Sequence, residues 1–91
     1  MSLTQNRADE AVALELMKAI RQAGEAEVAP NTLELVSTTL DVTGHSMNDE
    51  ALTFEAVLDR KTRTILFSGG HAACGGTIVM TATAIYRIVA A

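Results

Sequence analysis

The stretch TIVMTATAIYRIV, Thr77–Val89, decides the fold. Counted in twos, it puts Ile78, Met80, Ala82, Ala84, Tyr86 and Ile88 on one side. Thr77, Val79, Thr81, Thr83, Ile85 and Arg87 fall on the other. Period two sustained over this length predicts a long strand with one face covered. The run is too short to span a bilayer, which takes roughly 18 apolar residues, and it carries Arg87.

Three more strands precede it. TRTILFS, Thr62–Ser68, is one. ALTFEAVLD, Ala51–Asp59, alternates Leu52, Phe54, Ala56 and Leu58 against Thr53, Glu55 and Val57. TLELVSTTLDV, Thr32–Val42, is rich in β-branched residues. The polar segment TGHSMNDE, which holds His45, separates the first two of the four. Ahead of them, residues 7–23 repeat apolar side chains at three- and four-residue steps: Val12, Ala13, Leu16, Met17, Ile20 and Ala23. That spacing predicts an amphipathic helix. Thr4 or Asn6 can cap its start, Asp9 and Glu10 lie in its first turn, and Lys18 and Arg21 lie towards its end, an order that suits the helix dipole. Gly24 is placed to end it, and EAEVAPN reads as a connector closed to helix by Pro30. Short links favour antiparallel neighbours. The expected architecture is α+β: one N-terminal helix packed on a four-stranded antiparallel sheet, in a single domain over residues 1–91.

Composition narrows the function classes. With 91 residues and a net charge of −4, the chain lacks the basic surface of a nucleic-acid binder. Phe54, Phe67 and Tyr86 are its only aromatic residues, too few for a base-stacking platform. The start, MSLTQNRADEAV, does not read as a signal peptide. A single Cys74 forms no disulfide within the chain and suits a reducing, cytoplasmic setting. A domain this small is marginal alone, so homo-oligomerisation is expected.

Three groups of residues invite chemistry. SGGHAACGG, Ser68–Gly76, holds His71 and Cys74 but offers neither a phosphate loop nor enough ligands for a metal. It reads as a hairpin turning on Gly75–Gly76, with Gly69 and Gly70 inside or beside the third strand. Arg60, Lys61 and Arg63 are three of the seven basic residues within four positions: a solvated turn or a local attraction for a small anion. Glu15 flanks the helix's apolar stripe, either as part of a solvated face beside Lys18 or as a half-buried base.

FEAVLDRKTRTILFSGG followed by ACGGTIVMTATAIYRI resembles the last three strands of hotdog-fold acyl-CoA thioesterases. NTLELVSTTLDV is similar to the strand after that family's central helix, and ADEAVALELMKAIRQAG to the helix itself. The resemblance spans about residues 8–89. It implies a hotdog-like protein that handles acyl-CoA or a related thioester, with coenzyme A as part of the substrate and no separate cofactor. It implies backbone N–H donors at the helix start that polarise the thioester carbonyl. By position Glu15 matches the family's helix carboxylate, with Asp9 as a second candidate. Arg60, Lys61 and Arg63 match a turn that meets the phosphates of coenzyme A. It also implies a site at the interface of two subunits whose sheets lie side by side. The family normally has a strand before the helix and a His-Gly or Gly-Gly segment at the junction, and neither is present here. The alternative is therefore a non-catalytic ligand-binding or assembly module of the same fold.

Overall fold

A computed structural model describes residues 9–43 and 52–91. The expected caps Thr4 and Asn6, and most of the polar break with His45, lie outside the described residues. Within them the order is α1 (Asp9–Val28), β1 (Thr32–Val42), β2 (Leu52–Lys61), β3 (Ile65–Cys74) and β4 (Thr77–Val89). The strands form one antiparallel sheet in the order β1-β4-β3-β2, so among the described residues β1 and β2 are its edges. The helix lies on one face. This is the α+β arrangement read from the sequence, and β1 and β4 keep the expected bounds.

The helix runs five residues beyond the expected end. Gly24 does not cap it. It is buried inside it, where an added Cβ would meet Leu33 Cδ1 at 2.8 Å and Leu66 Cδ2 at 2.9 Å. Its missing side chain lets α1 lie close to β1 and β3, and EAEV continues the helix instead of linking it to β1. The buried positions are Val12, Leu16, Ile20, Gly24 and Val28, a straight four-residue repeat. Ala13 and Met17 flank this stripe and pack against it. The longer helix also has no base in its last turn. After Val28 the chain turns, and Asn31 N–H donates to the Val28 carbonyl at 2.9 Å.

Under the stripe, the central strands carry small residues. Gly70, Ala72, Ala82 and Ala84 leave room for Ile20, and a Cβ on Gly70 would stand 3.1 Å from Ile20 Cγ1. Larger side chains close the core around them: Leu16, Leu66, Met80 and Tyr86 are all nearly inaccessible. Each such burial contributes about 1.5–3 kcal/mol before the entropy of ordering is charged against it.

The segment SGGHAACGG is mostly strand. β3 continues through Cys74, and only Gly75 (φ 59°) and Gly76 (φ 86°) bend. With Cys74 paired to Thr77, this is a two-residue hairpin whose two positive φ angles match the twist of the flanking strands. Gly69 and Gly70 sit inside β3, as expected. The alternation expected of β4 holds from Met80 to Ile88 but fails at its start. The register shifts between Ala72 and Ala73, so that Val79 is an extra residue. Val79 is buried beside Met80, and Ile78 turns outward at 43% exposure. A bulge of this kind is set by the partner strand, so period-two counting along β4 alone passes over it.

Candidate functional site

The helix carries both carboxylates singled out from the sequence. Asp9 opens α1 and is exposed, while Glu15 is half-buried, one and a half turns on. The flank formed by Leu14, Met17 and Arg21 faces β1: Thr38 Oγ1 lies 3.5 Å from Met17 Sδ, and Arg21 Nη1 donates to the Leu33 carbonyl at 3.1 Å. Helical geometry puts Glu15 and Ala19 on the opposite flank, towards β2.

The basic cluster belongs to the end of β2 and the turn after it, and the strand divides its members. The register shifts between Leu58 and Arg60, with Asp59 as the extra residue. Arg60 then pairs with Phe67 on the face away from the helix, where its guanidinium stands over the ring at 5.9 Å. Lys61 pairs with Leu66 on the helix face and meets Glu27 at 3.1 Å. Arg63 lies exposed in the turn, whose shape is held by Thr62: its hydroxyl accepts from Thr64 N–H at 3.3 Å and Ile65 N–H at 3.0 Å. A cavity of about 320 Å³ opens here, lined by Glu27, Val28, Asn31, Lys61, Arg63 and Ile88 among others. Lys61 and Arg63 thus lie at the C-terminal end of α1, while Arg60 stands on the other face of the sheet. From Glu15 to Glu27 the helix rises about 18 Å, so one chain holds its candidate base and its basic turn that far apart along α1.

His71 and Cys74 do not form a pair. Three residues apart in one strand, they point to opposite faces. Cys74 packs against the core, and His71 lies on the open face with Nε2 3.4 Å from Glu55 Oε1. That cross-strand partner was legible only from the register, which pairs Glu55 with His71. Among the described residues no three His, Cys, Asp or Glu side chains gather as a metal site, and no helix is long and apolar enough to cross a membrane.

A groove missed by sequence reading lies between α1 and β1. It has a volume of about 260 Å³ and is lined by Leu14, Met17, Lys18, Arg21, Leu35, Thr38 and Tyr86. Arg21 stacks over the Tyr86 ring at 5.1 Å from its centroid. Burial of Tyr86 pushes its phenol above the ordinary 10.0. The positive charge of Arg21 opposes that shift, and Glu25 adds to it. The signal for this groove is divided between two distant segments of chain, each of which reads as ordinary core periodicity.

No family model and no curated protein matches the sequence. Among solved structures, the chain is similar to a phenylacetic acid degradation-related protein from Ralstonia eutropha JMP134, a candidate thioesterase. The TM-score is 0.82 at 18% identity, over 96% of this chain and 66% of that one. The chain has a hotdog-like fold. At this identity the likeness carries the fold alone, and the chain spans about two thirds of that protein's length.

Proposed function

We propose that this hotdog-like domain binds acyl-CoA or a related acyl thioester and hydrolyses it. The fold shared with a candidate thioesterase over 96% of the chain is the observation that carries this reading. Glu15 is the proposed general base. It takes a proton from water, the hydroxide adds to the thioester carbonyl, the C–S bond breaks, and the thiol leaves with a proton as the acid is released. Backbone N–H groups in the first turn of α1 are the proposed donors to the developing oxyanion. Asp9, in that turn, is the second carboxylate to test. Arg60, Lys61 and Arg63 are proposed to meet the phosphates of coenzyme A.

The separation of Glu15 from the basic turn calls either for a ligand that runs the length of α1 or for two copies of the chain. We favour two copies joined sheet to sheet. The edge strand β1 supports this, because it exposes Leu35, Val36, Leu40 and Val42. The same separation supports a second reading, a binding module without turnover.

Hydrolysis of a panel of acyl-CoAs separates the two. Turnover that falls at least about a hundredfold in Glu15→Ala, and less in Asp9→Ala, supports the enzyme. Saturable binding of coenzyme A by calorimetry without turnover supports the module. Turnover unchanged in Glu15→Ala overturns its role as base, and binding of neither coenzyme A nor acyl-CoA overturns both readings.

A further inference from the structure

The groove between α1 and β1 is walled by Leu14, Met17 and Leu35, and the buried Tyr86 lies beneath it under Arg21. Two cations border it, and they are not equivalent. Arg21 is committed: it donates to the Leu33 carbonyl at 3.1 Å, meets Glu25 at 3.4 Å and covers the Tyr86 ring. Lys18 is exposed, and no carboxylate of the described residues lies within ion-pair distance of it. An apolar trough with one uncommitted ammonium at its rim complements an amphiphilic anion. Methionine in the wall adapts to the shape of an apolar chain. A volume of 260 Å³ corresponds to roughly eight or nine water-sized heavy atoms.

We infer that this groove binds a medium-chain carboxylate, its chain on Leu14, Met17 and Leu35 and its anionic end on Lys18. The ligand is either a free acid or an acyl group bearing a distal carboxylate. The inference stands on the groove and not on hydrolysis at Glu15, so it survives if the chain proves inactive on thioesters.

The test titrates the full chain with octanoate and with 1-octanol, following the Met17 methyl and the Leu35 amide by NMR. Octanoate shifts both saturably and binds roughly three- to fivefold tighter than octanol, the scale of one exposed ion pair. Lys18→Gln removes that preference and leaves octanol binding unchanged. Octanoyl-CoA and the CoA thioester of suberate distinguish the sources. A Lys18-dependent preference for the suberate thioester assigns the groove to a distal carboxylate, and its absence alongside octanoate binding assigns it to the free acid. No saturable shift at Met17, or an octanoate preference that persists in Lys18→Gln, overturns the inference.

Discussion

Gly70 and Gly24 show how the same residue type answers to different neighbours. A Cβ on Gly70 would run into the Glu55 carbonyl oxygen and stand 3.3 Å from Ala56 Cα. Both are backbone atoms of a paired strand and cannot move without opening the sheet. A Cβ on Gly24 would meet only the ends of Leu33 and Leu66. Those side chains can shift, and alanine is favoured over glycine inside a helix by about 1 kcal/mol. Gly70→Ala is therefore expected to cost about 2–3 kcal/mol, and Gly24→Ala less than about 1 kcal/mol. Urea unfolding of the two variants checks this, and equal losses would refute the close approach at Gly70. Tyr86 supplies a second prediction. Its phenol is neutral in the fold up to a higher pH than in the unfolded chain, because burial disfavours the charged form. The unfolded chain releases its proton first, so this contribution is intact below about pH 10 and is lost as pH rises through the raised value. Between about pH 8 and about pH 11, the wild type should lose more stability than Tyr86→Phe. Parallel losses in the two proteins would show that Tyr86 plays no part.

At the scale of elements, the sequence yields what repeats and hides what depends on a partner. The alternation in β4 and β2 and the stripe in α1 reflect one-sided burial, so four strands and a helix were legible in order. The end of α1 was not, because Gly24 has two uses, a cap or a close approach, and only Leu33 and Leu66 across the gap decide between them. The bulges at Val36, Asp59 and Val79 were hidden for the same reason, since a register shift belongs to a pair of strands. That limit reaches the candidate site. Arg60 and Lys61 read as one cluster, but strand alternation sends them to opposite faces, and the extra residue Asp59 decides that Lys61 is the one on the helix side. Lys61 is then partly neutralised by Glu27 at the end of α1. If the turn receives the phosphates of coenzyme A, Glu27 competes with the ligand for Lys61. Glu27→Gln should tighten coenzyme A binding a few-fold, while Lys61→Gln weakens it by a similar factor, as befits a half-exposed pair. Because the pair contributes little stability, both variants should fold, and calorimetry reads the difference directly. Unchanged affinity in both would remove Lys61 from the binding site.

As a whole, the molecule is elongated, 48 × 23 × 19 Å, and among the described residues one helix lies over one face of its sheet. Its radius of gyration is 14.2 Å, against about 12 Å for a compact chain of this length. The excess shape is matched by excess apolar surface, concentrated on one side: Leu14 on α1 with Leu35, Val36, Leu40 and Val42 on β1 are all at least 36% exposed. The outer edge of β1 has no neighbour strand among the described residues, and a long apolar edge is a template for further pairing. The opposite edge differs. β2 exposes Val57 and Leu58 but ends in Asp59, Arg60 and Lys61, charges of the kind that discourage pairing. Antiparallel pairing of β1 with β1 of a second copy would cover the exposed edge of β1 and continue the sheet to eight strands. The wild type is accordingly expected to sediment at twice its 9.6 kDa at micromolar concentration. Val36→Lys combined with Leu40→Lys should sediment as a monomer, because a second copy would then oppose like charges across a desolvated edge. Val57→Lys, on the other edge, should leave the dimer intact. Both substitutions fall on exposed positions, so loss of the dimer is separable from loss of the fold by far-ultraviolet circular dichroism. A monomeric wild type would reject the β1 interface, and dissociation by Val57→Lys alone would move it to β2.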